Sequence, residues 1–392
     1  MNGLILMKSD NSINQIKKIH IANDELVIDW QDGSQSNLYS HWLRDHCQMP
    51  QSRNANNGQR LFSVINIPKN TSIEEVKQDE RGDLHIRFMP ENYWSIFSQN
   101  WLWINCYNLN NHFDDRSEKN KHFWQKTSFK DGLPRTKYKN FQETDKGRLE
   151  VLRAVRDMGF CIIEDASIKE GLVQSVISQL GFTRETNYGK LFEVRTEVKP
   201  NNLAYTNMRL GSHTDNPYRD PVPTVQLLHC LESSTQGGES VLVDGFNAAK
   251  KLREESSDNF ENLTNNWINF RFSDDKTDLR SRVPMIEIND NHEVIKVRYN
   301  NRSIDTINLP SEKIRPFYLA YRHWGEVIER DELKVIFQLV PGEIIIFDNT
   351  RVMHARTAFS KNGKRHLQGA YTDLDGLYSL LNILENQEND QD

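Results

Sequence analysis

The chain has 392 residues, of which 37% are hydrophobic, enough to build a real core in one large or two ordinary domains. Its 49 basic and 55 acidic residues give a net charge of −6, and no long basic block marks a nucleic-acid-binding surface. No apolar run approaches bilayer length, and four cysteines without CxxC spacing are typical of free thiols. We therefore expect a cytoplasmic protein that acts on a small molecule, without nucleic-acid or membrane partners.

The first 125 residues predict a small β-rich domain. Apolar and polar residues alternate from about residue 18, through the Asp32-Gly33 turn, and again in LHIRFMPENYWSIF. A polar segment follows WLWINCY and extends to about residue 140, which is typical of a linker. It contains an HxD pair, His112 and Asp114, which we interpret as solvated because no apolar alternation surrounds it.

Residues 140–392 predict a second, mainly β domain with helical insertions. Helical spacing is present in RLEVLRAVRDM, in FNAAKKLREE and near residues 311–330. Short strands are predicted for GFCIIED, TVQLLHCLE, GGESVLVDGF, HEVIKVRYNN and PGEIIIFDN. Many short strands separated by turn residues favour a sandwich or jelly roll over a parallel sheet.

A candidate metal site lies in GSHTDNP, where His213 and Asp215 are two positions apart. In a strand, residues at this spacing point to the same side. His354 follows the apolar strand of PGEIIIFDNTRVMHAR and supplies a third ligand. Two histidines and one carboxylate leave coordination positions open, as in non-haem Fe(II) oxygenases. A zinc hydrolase is the nearest rival, because the same residue types can hold zinc with a water.

An arginine separates these two alternatives. Arg365 stands in RHLQGAY, eleven residues after His354. Its guanidinium could form a bidentate pair with the distal carboxylate of 2-oxoglutarate while the keto acid end chelates iron. A zinc hydrolase does not need this arginine, so the set favours an oxygenase.

An ordered series of motifs covers most of the chain: YSHWLRDHC, NNLAYTNMRLGSHTDNP, VQLLHCLESSTQGGESVLVDGF, VRYNNRSIDT, FDNTRVMHAR and RHLQGAYTDLD. The series resembles the γ-butyrobetaine hydroxylases, within the taurine dioxygenase superfamily of iron and 2-oxoglutarate oxygenases. The resemblance implies a double-stranded β-helix (jelly roll) catalytic domain behind a small β-rich N-terminal domain. It implies His213, Asp215 and His354 as iron ligands and Arg365 as the 2-oxoglutarate residue, with O2 as the second cosubstrate. A homodimer is left open.

The resemblance also implies an aromatic cage for a trimethylammonium group, formed by Tyr188, Phe192, Tyr205 and Tyr371. A quaternary ammonium has no N–H to donate, so aromatic faces stabilise it, each by roughly 0.5 to 2 kcal/mol. We expect the anionic end of the substrate to be bound by the amides and the arginine of Asn202, Asn216, Asn300, Asn301 and Arg302.

These features predict hydroxylation of a small betaine such as γ-butyrobetaine, which would give carnitine. One alternative substrate is the phosphonate 2-(trimethylammonio)ethylphosphonate, whose three oxygens suit an amide-rich pocket with a nearby arginine. A second alternative is a catalytically silent jelly roll that binds a betaine.

The sequence departs from the family pattern at three positions. The N-terminal domain of the family often carries a structural zinc on three close cysteines and a later histidine, but Cys47 stands alone here and Asn92 replaces the histidine. We therefore expect no structural zinc. Phe192 stands where tryptophan is common, and Asn216 stands where the animal enzymes have a tyrosine that helps to hold the substrate carboxylate.

Overall fold

The structure is a computed structural model that describes residues 15–107, 109, 121–195, 208–234, 237–360 and 364–389. The chain divides into two compact units, Met1–Asp114 and Asp115–Asp392. The predicted domain limits, 1–125 and 140–392, differ from this division. Buried Trp124 and the strand Arg135–Lys137 already belong to the second unit, because the indole packs in its core and the strand joins its larger sheet.

In its described residues, the first unit contains two three-stranded antiparallel sheets, β1-β2-β3 and β4-β5-β6, and two short α-helices. Its elements are β1 Ile16–Ala22, β2 Glu25–Trp30, β3 Gln35–Tyr39, α1 Ser40–Asp45, β4 Ser72–Gln78, β5 Leu84–Met89, β6 Tyr93–Phe97 and α2 Gln99–Asn105. Strand β5 alternates as predicted, with Leu84, Ile86 and Phe88 buried. The Cys47 thiol accepts a hydrogen bond from the Ser95 hydroxyl at 3.0 Å.

The second unit is built on a six-stranded sheet, β7-β8-β18-β11-β20-β9, and a four-stranded sheet, β10-β19-β12-β17, with two smaller hairpins. Its strands are β7 Arg135–Lys137, β8 Phe160–Glu164, β9 Phe192–Arg195, β10 Leu210–His213, β11 Val225–Ser233, β12 Ser240–Asp244, β13 Ile268–Ser273, β14 Asp278–Val283, β15 Ile286–Ile288, β16 Val294–Val297, β17 Lys334–Phe337, β18 Ile344–Asp348, β19 Val352–Arg356 and β20 Arg365–Thr372. Its helices are α3 Tyr138–Glu143, α4 Asp145–Met158, α5 Leu172–Ile177, α6 Gly245–Glu255, α7 Ser257–Asn265, α8 Ser311–Ile328 and α9 Leu374–Asn389.

Strand β18 shows why the chain folds into layers around this sheet. Ile344 and Ile346 pack in the apolar cluster that also contains side chains of α4 and α9, whereas Ile345 and Phe347 pack in the cluster that contains Leu242 of the smaller sheet. A strand buried on both faces requires the continuous apolar run that the sequence contains. The prediction of a mainly β jelly roll with helical insertions is confirmed. Among the residues with described positions, no helix combines the length and apolarity that crossing a membrane needs.

A buried ion pair joins the two sheets to the segment before β7. Arg351 forms a bidentate pair with Asp244, at 3.2 and 3.0 Å, and both side chains are almost completely buried. Arg351 also donates to the carbonyls of Asp157 and His122, and Asp244 accepts from the backbone N–H of Trp124. Asp244 is the last residue of β12, and Arg351 lies between β18 and β19. The ion pair therefore holds the end of α4 and residues 122–124 against these two positions of the sheets.

Replacing Arg351 with methionine should lower the free energy of unfolding by about 3 to 5 kcal/mol, because it leaves the Asp244 carboxylate buried without a counter-charge. Urea unfolding followed by circular dichroism measures this loss. The control is Arg322→Met, which breaks the exposed Arg322–Glu326 pair on α8 and should cost less than about 1 kcal/mol. Equal losses in the two variants would show that the buried pair does not anchor the unit.

Candidate active site

Two neighbouring strands bring the predicted metal ligands together. Strand β10 pairs antiparallel with β19, and His213 lies directly opposite His354, with ring centroids 4.2 Å apart. The Asp215 carboxylate lies 3.4 Å from Nε2 of His213 and 4.0 Å from Nε2 of His354. Among the described residues, this is the only group of three histidine, cysteine or acidic side chains whose ligand atoms lie within 4.8 Å of one another.

The backbone conformation that brings Asp215 to the site differs from the predicted strand. Strand β10 ends at His213, so Asp215 lies in the turn that follows rather than two positions along a strand. Asn349 holds this turn: its side-chain oxygen accepts from the Asp215 N–H at 2.7 Å, and its amide donates to the Asp215 carbonyl at 3.0 Å. Asn349 was not among the predicted site residues, although an Asp-Asn pair at the end of an apolar strand is a signal of a fixed turn.

The donor set fits a divalent metal ion. Nδ1 of His213 donates to the Gly211 carbonyl at 2.9 Å, which fixes the tautomer and leaves the Nε2 lone pair facing Asp215. Burial, and then the nearby His213, lowers the pKa of His354 to about 3, so this imidazole is neutral and available as a ligand. The Asp215 pKa stays below its usual value despite burial, and the Tyr371 hydroxyl donates a hydrogen bond to the carboxylate. The two imidazole nitrogens and the carboxylate converge without a proton between them, and a divalent cation would be attracted to all three.

Tyr371 links the metal site to the aromatic wall. Its hydroxyl donates to Oδ2 of Asp215 at 2.8 Å, and its ring stacks on Phe192 at 5.0 Å. Burial and the adjacent carboxylate raise the pKa of Tyr371 well above its ordinary value, so the hydroxyl keeps the proton that it donates. The sequence identified Tyr371 only as a cage residue, and the structure adds this contact with Asp215.

His213, Asp215 and His354 line a cavity of about 540 Å³, a volume typical of small-molecule sites. Its apolar walls come from both sheets and are formed by Leu228, Leu242, Ile345, Phe347 and Leu367. Arg365, the first residue of β20, also lines the cavity and is only 9% exposed. Burial lowers its pKa to about 10, and the structure records no ion pair between Arg365 and any described residue. A buried guanidinium of this kind fits a ligand that brings its own carboxylate.

Gly238 provides the space that Arg365 occupies. Gly238 has a φ of +77°, and a Cβ atom there would lie 3.3 Å from Cδ of Arg365. A side chain at this position would be strained and would press on the arginine. The Gly-Gly pair that precedes β12 therefore shapes the end of the cavity where Arg365 lies.

The aromatic wall contains predicted and unpredicted residues. Of the residues predicted to form the cage, Tyr188, Phe192 and Tyr371 line the cavity, and Tyr218 and Phe272 line it as well. The Tyr218 ring stacks on Phe272 at 5.2 Å, and its hydroxyl lies 3.3 Å from that of Tyr188. No spacing in the sequence relates Phe272, on the β13–β14 hairpin, to the other four. The predictions for Tyr205 and Asn202, like the interpretation of His112 and Asp114, fall outside the described residues.

The predicted amide residues separate into two groups. Asn216 and Asn300 are buried and line the cavity, and Arg302 lines it too. Asn216 accepts from the Tyr218 hydroxyl at 2.9 Å, but its buried Nδ2 has no hydrogen-bond partner among the described residues. Asn301 does not line the cavity: it is exposed, and its side-chain oxygen accepts from a tyrosine hydroxyl of α8. Of this consecutive pair, the structure therefore brings Asn300 to the cavity and places Asn301 at the surface.

Two family models match the chain. One, described as "Taurine catabolism dioxygenase TauD, TfdA family", matches residues 127–371, and one described as "Gamma-butyrobetaine hydroxylase-like, N-terminal" matches residues 17–103. Human γ-butyrobetaine dioxygenase is 31% identical over 92% of this chain and 94% of its own length. The γ-butyrobetaine dioxygenase of a Pseudomonas species is 30% identical over 91% and 93%. The trimethyllysine dioxygenase of Meyerozyma guilliermondii is 29% identical over 95% and 96%.

Similar solved structures include a taurine dioxygenase from Burkholderia xenovorans, with a TM-score of 0.44 and 15% identity, covering 57% of this chain and 78% of that one. They also include an asparagine oxygenase, with a TM-score of 0.46 and 17% identity, covering 58% and 79%. The fold and the donor set define an Fe(II)- and 2-oxoglutarate-dependent dioxygenase. The chain belongs to the TauD/TfdA dioxygenase family and, within it, to the γ-butyrobetaine hydroxylases.

Tyr371→Phe should weaken metal binding about 10- to 100-fold while the ring stack on Phe192 is kept, because the Asp215 carboxylate loses a hydrogen-bond donor. Titration of the protein with Mn(II), followed by electron paramagnetic resonance of the free ion, measures the affinity. Tyr218→Phe is the matched control, since it removes a hydroxyl in the same cavity that contacts Asn216 instead. Unchanged Mn(II) affinity in Tyr371→Phe would show that this hydroxyl does not support the metal ligand.

Proposed function

We propose that the protein hydroxylates a small trimethylammonium compound that carries an anion at its other end, with γ-butyrobetaine as the first candidate. The observation that carries the proposal is one cavity lined by the His-Asp-His donor set, by aromatic side chains and by amides and arginines. The named activities of the γ-butyrobetaine and trimethyllysine dioxygenases, which are similar over nearly the whole chain, support the same substrate class.

In this proposal His213, Asp215 and His354 hold Fe(II), and Arg365 binds the distal carboxylate of 2-oxoglutarate. Bound iron supplies the redox chemistry that couples 2-oxoglutarate and O2 to hydroxylation of a C–H bond. The chain holds the ligands in place: Gly211 fixes the His213 tautomer and Tyr371 keeps the carboxylate oriented. The apolar walls limit the access of water to the reacting carbon, and the buried arginine distinguishes the site from a zinc hydrolase.

The aromatic wall supports a cation-binding role. Tyr188, Phe192 and Tyr371 are the cage residues implied by the family resemblance, and Tyr218 and Phe272 extend the same wall. Each π face within about 6 Å of a cation stabilises it electrostatically, and the effect grows when water is excluded. Tyr205 is also proposed as a cage residue on the strength of the resemblance. Fixing the trimethylammonium at one end determines which carbon of the substrate faces the metal.

The polar residues beside the aromatic wall support a second candidate, the phosphonate 2-(trimethylammonio)ethylphosphonate. The described residues that line the cavity include four arginines, at positions 271, 302, 356 and 365, and of these we propose Arg302 for the substrate anion and Arg365 for 2-oxoglutarate. Arg271 is already paired with Asp278 outside the cavity. The buried Nδ2 of Asn216 is a further donor without a partner. A phosphonate offers three oxygens and more negative charge than a carboxylate, so it can satisfy more of these groups.

The proposed reaction is tested by incubating the Fe(II)-loaded protein with 2-oxoglutarate and O2 and measuring succinate with and without each substrate. We expect γ-butyrobetaine or its phosphonate counterpart to raise succinate formation at least about tenfold, because a correctly held substrate couples cosubstrate oxidation to its own hydroxylation. Trimethyllysine, which is longer and carries an extra amine, is the matched comparison. Stimulation by none of the three, with a hydroxylated product absent by mass spectrometry, would contradict the substrate class.

A substitution of Arg302 distinguishes the two candidate substrates, the carboxylate γ-butyrobetaine and its phosphonate counterpart. Arg302→Met should lower kcat/KM for the phosphonate at least about tenfold more than kcat/KM for γ-butyrobetaine, because a phosphonate loses a charged partner that the carboxylate needs less. Tyr188→Leu is the control, since the cage contacts the same trimethylammonium group in both substrates and the two rates should fall alike. Equal losses on both substrates in Arg302→Met, or none on either, would leave γ-butyrobetaine as the substrate.

A further inference from the structure

A second arginine, Arg356, lies in the part of the cavity that contains Arg365. It is the last residue of β19, two positions beyond His354, and it is only 5% exposed. Its backbone lies opposite Ser240 of β12 and Leu210 of β10, which both line the cavity. The strand that supplies one metal ligand therefore also supplies a cation to the cavity.

The Arg356 side chain is held in a fixed position. One terminal nitrogen donates to the Met208 carbonyl at 2.8 Å, and the guanidinium carbon lies 4.8 Å from the centroid of the Phe359 ring. Phe359 also contacts the Gly238 turn, where a Cβ would lie 3.3 Å from Cβ of Phe359 and 3.3 Å from Cδ of Arg365. Phe359 thus contacts the Arg356 guanidinium, and Gly238 lies against both Phe359 and Arg365.

Both guanidinium groups belong to buried residues of the same cavity: Arg356 is 5% exposed and Arg365 is 9% exposed. Two cations that share a poorly hydrated cavity repel each other, and an anion that binds near both relieves this repulsion. A single arginine is sufficient to bind one carboxylate in bidentate geometry. A second arginine in the same cavity would therefore strengthen the preference for ligands that carry a negative charge.

We propose that Arg356 is a second cosubstrate-positioning residue, which acts with Arg365 to select a dicarboxylic 2-oxo acid over 2-oxo acids that end in a methyl group. Arg356 supplies a fixed positive charge near the distal carboxylate, and Arg365 makes the direct pair. The inference rests on the proposed function in one respect, the orientation of 2-oxoglutarate with its distal carboxylate toward Arg365. It does not depend on which betaine is hydroxylated.

The test measures binding and requires no turnover. Mn(II)-loaded protein is titrated by anaerobic calorimetry with 2-oxoglutarate and with 2-oxopentanoate, which has the same chain length but no distal carboxylate. In Arg356→Met we expect the Kd for 2-oxoglutarate to rise at least about tenfold while that for 2-oxopentanoate changes less than about twofold, since only the first ligand carries the charge that Arg356 attracts. Arg356→Lys keeps the charge and should retain most of the preference for 2-oxoglutarate.

Two further variants make the result specific. Arg322→Met removes an exposed arginine of α8 and should leave both Kd values unchanged. Arg365→Met should abolish the preference for 2-oxoglutarate; if it does not, the proposed orientation of the cosubstrate fails, independently of Arg356. If Arg356→Met weakens both ligands equally, or neither, while Arg365→Met behaves as expected, the arginine only packs against Phe359 and Met208 and the inference is overturned. If Arg356→Met does not fold, loss of the preference in Arg356→Lys overturns it in the same way.

Discussion

The antiparallel pairing of β10 with β19 is the interaction on which the site depends. It sets His213 opposite His354, and Asn349 then holds the following turn so that Asp215 faces both rings. The register of these two strands also decides where Arg356 enters the cavity, because it lies on β19 two residues beyond His354. A slip of one residue would turn these side chains to the other face of the sheet and disperse the donor set.

Charge is the second constraint on the cavity. Its walls are apolar, and yet the described residues that line it carry more positive than negative charge. Arg365 is buried among these walls, so an anionic ligand would stabilise it. In the proposed function, the arginines attract the anionic groups of cosubstrate and substrate, and the neutral aromatic faces bind the trimethylammonium group.

The sequence was sufficient to identify candidate residues that stand in short motifs. His213, His354 and Arg365, taken from GSHTDNP, FDNTRVMHAR and RHLQGAY, line one cavity in the structure. The β18 strand could be predicted from its apolar run, which both buried faces require. Residues that meet through long-range packing could not be predicted. Phe272 reaches the aromatic wall from a separate hairpin, and Asn349 acts through backbone contacts that no side-chain spacing reveals. Asn300 and Asn301 were indistinguishable because the direction of each side chain depends on one turn.

The most direct test of the account is an anaerobic titration of the protein with Fe(II) and 2-oxoglutarate, followed by visible absorption. If His213, Asp215 and His354 hold the iron and Arg365 orients the keto acid, a weak charge-transfer band should develop in the wild-type protein and saturate at one equivalent of iron. The band should be absent in Asp215→Ala, which removes the only carboxylate among the three ligands. No band in the wild-type protein, or an unchanged band in the variant, would contradict the assignment of the metal site.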